Sequence, residues 1–425
     1  QYLQIPEVTV THLSTRDTGG GAARAAYRLH RGLQEAGTES KMYVRHRQST
    51  DGTVQTFRRS SDLRHRLRRL WRYGRIQFDF APYRWSRPDQ LESFSDDRTR
   101  FRREVTNQLP TTDILHLHWI ARFVDLHAFF EQTTAPVVWT LHDMNAFTGG
   151  CHYDARCGRY ESKCGKCPQL GSQWKHDLSR AVWKRKRKAY QSALAQDRLH
   201  VVTPSEWLAQ EARKSKLLEE APIQVIPNGV DHKTFYPRSS TIQRHELGIP
   251  EPHDVVLFVA QSTSNHRKGF DLLIDAFDEI ATEGVTLVSV GSNKPPISGS
   301  LPHVHAGRIE DNAKLAEFYS MASVFVIPSR QDNLPNTVLE SMACGTPVVG
   351  TNAGGVPDMV HPNETGWLAN TGNIQSLREA IEAAIESEEK RQYMAKRCLE
   401  VIREEYTLER QAEQYEELYE SVVVK

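Results

Sequence analysis

Residues 328–350 read PSRQDNLPNTVLESMACGTPVVG, and this stretch decides the fold class. The apolar run at 322–327 before it predicts a buried parallel strand. A polar loop and a short amphipathic helix follow, and a second buried strand is predicted at 346–349, just past Gly345. Strand, loop, helix and strand form half of a nucleotide-binding sheet, in which ligands sit at the carboxyl ends of the strands.

Two acids lie in this unit, Asp332 on the loop and Glu340 within the helix. Carboxylates at such a position can hydrogen-bond the hydroxyls of a ribose and of a sugar. On spacing alone, two solvated surface acids are the alternative, so the rest of the chain has to decide.

Length and charge indicate two domains. The chain has 425 residues, of which 39% are hydrophobic, enough for two ordinary cores. Residues 1–225 carry 37 Lys and Arg against 24 Asp and Glu, whereas the remainder carries 17 against 29. Halves of opposite charge suggest domains that face different partners. Neither a secretory signal nor an apolar run of membrane-spanning length is visible, so we expect a cytoplasmic protein.

A glycine-rich turn opens the first half. A strand is predicted at 8–13, three glycines follow at 19–21, and a helix with its apolar face at 22–33 ends near Gly37. Such a turn lets backbone amides and a helix N-terminus approach an anionic ligand. The third glycine of a dinucleotide fingerprint is missing, and a turn that serves only backbone geometry is the alternative.

Residues 58–75 are strongly basic, and their apolar members Leu63, Leu67, Leu70 and Trp71 have helical spacing. This pattern predicts an amphipathic helix with a cationic polar face, typical of docking on an anionic membrane surface. A second basic run lies at 184–188, and solvated helix faces are the alternative for both runs. We expect no nucleic-acid partner, because no such motif is present and the isoelectric point is about 7.8.

Two further strands, predicted at 113–119 and 137–145, have polar residues at their carboxyl ends. His116 and His118 lie two apart on the first strand and therefore share a side of the sheet. A metal site is one interpretation of the pair. A buried, hydrogen-bonded role is expected for His116, and His118, nearer the strand end, is the functional candidate.

Four of the six cysteines fall between residues 151 and 167, namely Cys151, Cys157, Cys164 and Cys167. The Cys-Gly-Lys-Cys-Pro element is typical of turns that present two thiolates to zinc. We predict a structural zinc site, with two disulfides or free thiols as the alternatives. Catalytic zinc is not expected, because four thiolates leave no open position.

The second half begins after a linker predicted around 237–241. Its first strand is expected at 255–260, and Arg267 and Lys268 stand just before a helix. Two cations beside a helix N-terminus form a good site for a diphosphate. A strand at 286–290, a short strand and turn at 305–309 and Glu-rich helices towards the end complete the pattern.

Three elements in this order, VIPNGVD at 225–231, Arg267-Lys268-Gly269 and the opening stretch, resemble the GT-B glycosyltransferases of retaining family 4. The glycine turn, the strand of His118 and the four cysteines are similar to the colanic-acid and O-antigen branch. The resemblance implies an α/β GT-B fold with two Rossmann-like domains that face each other across a cleft.

The resemblance also implies the domain limits. An N-terminal acceptor domain is expected at 1–236, with a cysteine-rich insertion at 151–168. A donor domain for the nucleotide sugar is expected at 237–405, and a C-terminal helix at 406–425 crosses back to the N-terminal domain.

Site residues follow from the same resemblance. Glu340 binds the ribose hydroxyls, Asp332 contacts the donor sugar where the family has Glu, and His118 is the active-site histidine. Lys268 binds the phosphates, and Arg267 replaces the arginine that the family usually carries where this chain has Ala260-Gln261. The remaining donor contacts are Gly20 and Gly21 for the diphosphate, the backbone of Arg308 and Ile309 for the base, and the amides of Leu334, Pro335 and Asn336 for the sugar.

The implied activity is retaining, metal-independent transfer of a sugar from a UDP- or GDP-sugar to a glycan or lipid-linked acceptor in cell-surface polysaccharide synthesis. Structural zinc is the single metal expected. Peripheral association at the inner face of a membrane is expected through the basic N-terminal domain. A GT-B epimerase or phosphorylase, or a non-catalytic nucleotide-sugar-binding subunit, is the alternative.

Overall fold

A computed structural model describes residues 8–88, 91–239, 241–280, 283–297 and 302–423. The chain forms two compact units. Unit 1 contains the residues up to Pro227 and those from Gln411 onward, and unit 2 contains Asn228–Arg410. Among the described helices, none combines the length and the apolar character needed to cross a membrane.

Unit 1 is built on a seven-stranded parallel sheet with the order β3-β2-β1-β4-β5-β6-β7. Its strands are β1 (Thr9–Arg16), β2 (Glu39–His46), β3 (Val54–Thr56), β4 (Ile114–Leu117), β5 (Val137–Thr140), β6 (Leu199–Thr203) and β7 (Ile223–Val225). Its helices are α1 (Gly21–Ala36), α2 (Leu63–Phe80), α3 (Arg103–Thr106), α4 (Leu126–Gln132), α5 (Leu178–Ala195), α6 (Glu206–Lys214) and most of α13 (Leu408–Val423).

Unit 2 is built on a six-stranded parallel sheet with the order β10-β9-β8-β11-β12-β13. Its strands are β8 (Asp254–Ser262), β9 (Val285–Ser292), β10 (His303–Gly307), β11 (Val324–Ile327), β12 (Val348–Thr351) and β13 (Gly366–Ala369). Its helices are α7 (Thr241–Glu246), α8 (Phe270–Asp278), α9 (Asn312–Met321), α10 (Asn336–Ala343), α11 (Ile374–Glu386) and α12 (Glu388–Glu405).

Each sheet has an apolar core on both faces, as expected for parallel strands covered by helices. In unit 2, one core contains Phe325 of β11 and Leu339 of α10, and the other contains Val326 of β11 and Leu273 of α8. The alternation of Phe325 and Val326 to opposite faces explains why the strand before residue 328 is a continuous apolar run.

The strand at 137–145 is shorter than predicted and ends at Thr140. The chain then turns into a 3₁₀ helix at Met144–Phe147, because the side chain of Asp143 accepts a hydrogen bond from the backbone N–H of Asn145 (2.8 Å). The polar residues after this strand therefore lie on a tight turn at the carboxyl end of the sheet.

The division between the units differs from the predicted limit at residue 236. Val230 forms a bridge with Thr407, and Val230 and Phe235 are fully buried in a core of unit 2. Residues 228–236 therefore pack with the second unit. Residue 240 of the predicted linker and residues 424–425 of the predicted C-terminal helix lie outside the described residues.

Candidate functional site

The opening stretch and the Arg267-Lys268 turn meet at the carboxyl end of the sheet of unit 2. Lys268 Nζ donates a hydrogen bond to Asp332 Oδ2 (2.6 Å), and a guanidinium nitrogen of Arg267 lies 3.2 Å from Asp332 Oδ1. The two cations predicted to bind a diphosphate and the acid predicted to contact the donor sugar thus form one cluster.

Backbone contacts fix this cluster. Gly269 follows Lys268 with φ of 71°, and a Cβ there would lie 2.0 Å from the carbonyl oxygen of Pro328, so glycine is required. The N–H of Arg330 donates to the carbonyl oxygen of Arg267 (2.8 Å), and the Arg330 side chain forms an ion pair with Asp271 (2.6 Å). The turn before α8 and the loop after β11 are therefore held in register.

Asp332 is 5% exposed and ionised. Burial raises the pKa of its carboxyl group, but Lys268 and Arg267, with a hydrogen bond from Ser329, lower that pKa to about 2. Both carboxylate oxygens already accept hydrogen bonds, one of them from the backbone N–H of Asn333 (3.1 Å). A donor sugar that contacts Asp332 must share it with the two cations.

Glu340 lies inside α10 and is 1% exposed. Its Oε2 atom accepts a hydrogen bond from the hydroxyl of Tyr319 (3.2 Å). Asp332 lies before α10, and Leu334 and Pro335 directly precede its first residue, Asn336, whose side chain accepts a hydrogen bond from Asn228 (3.1 Å). The predicted sugar-binding residues therefore lead into a helix N-terminus that has no side-chain cap.

Arg308 and Ile309, predicted to hold the base, line a pocket of about 350 Å³ in unit 2. Phe318 of α9 lines the same pocket and precedes Tyr319, the hydrogen-bond partner of Glu340. Arg308 is half exposed and ion-paired to Glu310 (2.8 Å).

The second predicted group of site residues lies in unit 1. Gly20, with φ of 101°, precedes α1, which begins at Gly21 and has no side-chain cap at its N-terminus. The loop after β1 is anchored by Asp17, which is fully buried and accepts hydrogen bonds from the backbone N–H groups of Thr18, Gln48 and Ser49. The glycine turn thus leads directly into the N-terminus of a helix.

His118 stands in the middle of a buried chain of imidazole rings. Its Nε2 atom lies 2.9 Å from His12 Nδ1, and its Nδ1 atom lies 3.2 Å from His142 Nε2. Both ring nitrogens of His118 are therefore engaged, and the side chain is 3% exposed. His142, which follows β5, is partly exposed and continues this chain towards solvent.

These imidazoles are neutral near pH 7. Burial lowers the pKa of His12, His116 and His118 well below the usual value, and it lowers that of His142 to about 4. The array is therefore a hydrogen-bonding structure and carries no net charge.

His116 has the buried structural role expected from the sequence. Its ring nitrogens lie 2.6 Å from the hydroxyl of Tyr419 on α13 and 2.7 Å from the hydroxyl of Thr140. Ligating atoms of His12, His116 and His118 fall within 4.8 Å of one another. The rings of His116 and His118 are stacked, with centroids 4.2 Å apart, and His116 already uses both nitrogens, so this arrangement does not aim three lone pairs at one ion.

Sequence reasoning missed a neighbouring acid. Asp143 accepts hydrogen bonds from the indole of Trp119 (2.9 Å) and pairs with His152 Nδ1 (2.6 Å). These three residues line a small pocket with His118 and His142. Polar residues after β5 were a usable signal, whereas the contact with His152 depends on how the following loop folds back.

The four cysteines are free thiols packed into unit 1. Burial raises the pKa of Cys164 to about 12 and that of Cys167 to about 11. Among the described residues, the group whose ligating atoms lie within 4.8 Å of one another is the histidine group, and the four sulfurs do not form a second one. Tetrahedral zinc requires closer convergence of the sulfurs, so the zinc site stays a prediction that metal analysis of the purified protein can decide.

Comparison with known protein families gives the family. Residues 19–234 match the model of Glycosyltransferase Family 4, and residues 239–400 match that of Glycosyl transferases group 1. The chain belongs to glycosyltransferase family 4. The first of these matches is that to Glycosyltransferase Family 4, which covers half of the chain by itself, and the second covers most of unit 2, including Lys268, Asp332 and Glu340.

Relatives of this family 4 chain are distant. N-acetyl-alpha-D-glucosaminyl L-malate synthase of Bacillus anthracis is 27% identical over 47% of this chain and 54% of its own length. D-inositol 3-phosphate glycosyltransferase of Kribbella flavida is 26% identical over 74% of this chain and 72% of its own length. The alignments span about half or less of the first few curated relatives.

Solved structures show the fold. Sucrose-phosphate synthase from Thermosynechococcus elongatus superposes with a TM-score of 0.65 at 19% identity, covering 98% of this chain and 99% of that one. Anabaena HepE in complex with UDP and glucose gives 0.64 at 16% identity, covering 97% and 100%. The two parallel-sheet, Rossmann-like units are thus those of the GT-B glycosyltransferase fold.

Proposed function

We propose that this family 4 chain transfers a sugar from a nucleotide-sugar donor to a hydroxyl of a glycan or lipid-linked acceptor, with retention of anomeric configuration and without a catalytic metal. The observation that carries the proposal is the cluster of the buried Asp332 with the partly buried Lys268 and Arg267 at the carboxyl end of the sheet in unit 2. Two cations and one acid leave a net charge of +1, which suits a diphosphate.

Different residues of unit 2 would bind the ribose, the base and the sugar of the donor. Glu340 binds the ribose hydroxyls, the pocket lined by Arg308 and Ile309 receives the base, and the amides at the start of α10 face the sugar. Lys268 and Arg267 exchange part of their contact with Asp332 for the phosphate oxygens.

The reaction needs little covalent chemistry from the protein. The acceptor hydroxyl attacks the anomeric carbon from the face that the nucleotide leaves, the glycosidic bond to the diphosphate breaks, and a departing phosphate oxygen takes the hydroxyl proton. Lys268 and Arg267 stabilise the charge on the leaving diphosphate, and the amides at the start of α10 orient the sugar. In unit 1, the partly exposed His142 offers a hydrogen-bonding group to sugar hydroxyls, and His118 orients His142 through their hydrogen bond.

The test is a reaction panel of UDP-, GDP- and dTDP-sugars with lipid-linked acceptors, read by mass spectrometry. Transfer should occur with one donor, persist in EDTA, and give a product whose anomeric coupling in NMR matches that of the donor. Conversion of the donor alone would indicate an epimerase, and consumption of phosphate a phosphorylase.

A matched pair of variants ties the activity to the site. Glu340→Gln keeps the side-chain volume and should weaken binding of the nucleoside diphosphate, whereas Glu379→Gln, on the exposed face of α11, should not. Donor binding without transfer to any acceptor would favour the non-catalytic binding subunit. Equal binding by both variants would contradict the assigned donor site.

A further inference from the structure

Helix α2 exposes its apolar face to solvent. The following side chains of the helix are more than half exposed: Leu63 64%, Leu67 58%, Leu70 66%, Trp71 65% and Phe78 78%. At 100° per residue, all five fall within one stripe about 100° wide. No residue of α2 is buried.

The opposite face of α2 contacts the rest of unit 1, and it does so mainly with polar groups. Arg69 forms an ion pair with Glu104 (2.7 Å), and Asp79 forms one with Arg98 (2.7 Å). Phe80, at the end of the helix, packs edge-on against Phe94. The sequence predicted an amphipathic helix with a cationic polar face, and in the structure the apolar stripe of this helix is exposed.

Basic side chains border the stripe. Arg64, Arg66 and Arg68 are exposed and have no ion pair with any described residue. Arg75 lies over the ring of Trp71, with its guanidinium carbon 5.7 Å from the ring centroid. The exposed surface therefore combines large apolar side chains with several uncompensated positive charges.

The second basic helix, α5, is built in the opposite way. Its aromatic residues Trp183 and Tyr190 are 4% and 0% exposed, and Lys186 is fully buried with its ammonium group donating to the carbonyl oxygens of Asn145 and Thr148. A basic helix of unit 1 can therefore bury its aromatic residues, as α5 does, so the exposed apolar stripe of α2 is not explained by its positive charge.

Two further tryptophans extend the patch along the chain and beside it. Trp85, five residues after α2, is 93% exposed. Trp174, 64% exposed, packs edge-on against Tyr83 of the same connecting segment, with ring centroids 6.3 Å apart. Tryptophan favours the boundary between lipid headgroups and acyl chains, where its ring is buried and its N–H stays hydrated.

We propose that the apolar stripe of α2, with Trp85 and Trp174, docks on the surface of an anionic lipid membrane. The apolar side chains enter the headgroup boundary, and Arg64, Arg66 and Arg68 contact lipid phosphates. A second copy of this chain fits the patch less well, because pairing two such helices brings their arginines together. This docking surface does not depend on which sugar the protein transfers.

Vesicle co-sedimentation tests the proposal directly. The full chain should bind vesicles of phosphatidylcholine that contain about one part in three phosphatidylglycerol, bind pure phosphatidylcholine much more weakly, and dissociate as salt is raised. Failure to bind the anionic vesicles, or equal binding to both, would overturn the proposal.

Two sets of variants separate the apolar and the charged contributions. The triple change Leu67→Gln, Trp71→Gln and Phe78→Gln should lower the affinity for anionic vesicles about tenfold or more, and Ile242→Gln, which alters a 69% exposed aliphatic residue of unit 2, should not. Arg64→Gln, Arg66→Gln and Arg68→Gln together should do the same, while removing the exposed charges Lys184, Arg187 and Lys188 of α5 should have a much smaller effect.

A spectroscopic measurement reports contact with lipid directly, so its interpretation does not depend on the stability of a variant. Brominated lipids should quench tryptophan fluorescence of the wild-type chain, and Trp71→Phe should reduce that quenching while leaving sedimentation nearly unchanged.

Sedimentation velocity serves as a further check. A concentration-dependent dimer that the stripe variant converts to a monomer, in a protein that ignores vesicles, would assign the patch to a second copy instead. Loss of vesicle binding with unchanged transfer to a water-soluble acceptor keeps this proposal distinct from the proposed function.

Discussion

The carboxyl edges of the two parallel sheets carry opposite kinds of polar group. In unit 2 the edge is ionised, with Asp332 held between Lys268 and Arg267. In unit 1 the edge is a chain of neutral imidazoles through His118. The same sheet architecture thus presents a cluster of ionised side chains in one unit and an uncharged hydrogen-bonding array in the other.

Burial acts on both edges, and the neighbours decide the outcome. A buried carboxylate loses its hydration, and it stays ionised only when neighbouring cations offset part of that loss in free energy. Without the two cations it would take up a proton. The imidazoles have only each other and hydroxyl groups as partners, so the neutral form is favoured. A charged edge suits the diphosphate of a donor, and a neutral edge suits sugar hydroxyls.

The largest expected effect concerns the charged edge. Lys268→Met should weaken the binding of UDP or GDP about a hundredfold, roughly 3 kcal/mol, because it removes a partly buried cation from the proposed diphosphate site. Isothermal titration calorimetry measures this, with Lys396→Met as the control for an exposed lysine. His118→Gln, at the neutral edge, should change nucleoside diphosphate affinity by no more than about tenfold. Equal losses in the two variants would contradict the division between the edges.

The next effect is a loss of stability in unit 1 between about pH 6.5 and 4. Burial lowers the pKa of His30 to about 4, so in this range the unfolded chain binds more protons than the folded chain. The contribution of His30 to the free energy of unfolding is fully present above pH 6.5 and is lost as the pH falls, by about 3 kcal/mol. The ring of His30 is fully buried between the hydroxyls of Ser40 and Thr53. Hydrogen exchange at pH 7 and pH 5, corrected for intrinsic rates, should show opening in unit 1, with a smaller change in unit 2, where burial lowers the pKa of the partly exposed His303 to about 4.

The contribution of Asp332 to the stability of unit 2 should be lost at a lower pH. The folded pKa of Asp332 is about 2, below its unfolded value of about 4, so its contribution is present above pH 4 and is lost as the pH falls towards 2. The loss is about 2 kcal/mol, and Asp332→Asn should remove that part of the pH dependence in acid unfolding curves. An acid unfolding curve of Asp332→Asn with the same pH dependence as that of the wild-type chain would contradict this assignment.

The smallest effect concerns the support of the neutral edge. Tyr419→Phe removes the hydroxyl that bonds His116 and should lower the free energy of unfolding by about 1 kcal/mol. Chemical denaturation measures this, and Tyr393→Phe, on a half-exposed tyrosine of unit 2, is the matched control. A loss of several kcal/mol would mean that the imidazole array depends on this contact far more than its geometry indicates.

Much of unit 2 could be predicted because its information is local. The apolar run of β11, the loop and the helix of Glu340 follow one another within a few turns of chain, and Gly345 marks the end of α10. The family motifs also lie in this part of the sequence. The ion pair of Asp332 with Lys268, across 64 residues, needed the parallel pairing of β8 with β11 that brings both loops to one edge.

The neutral edge was harder to predict. His118 was found from its place at a strand end, but its contact with His12 spans 106 residues and depends on the pairing of β1 with β4. The direction of α2 was not predictable either, because helical periodicity gives the two faces of a helix and does not say which one packs. The ion pairs of Arg69 and Asp79 decide that question in three dimensions.

Helix α13 has a consequence for biosynthesis. Tyr415 and Tyr419 complete a core of unit 1 that also contains Val10, Ile114 and Val138, yet all of unit 2 is translated between that core and the helix. While the ribosome makes unit 2, the hydroxyl of Thr140 and the ring of His116 lack their hydrogen-bond partners on α13, and the apolar groove that α13 fills in unit 1 stays open. The first unit to be started is therefore the last to be finished, and a nascent chain halted near residue 410 should be the form most in need of a chaperone.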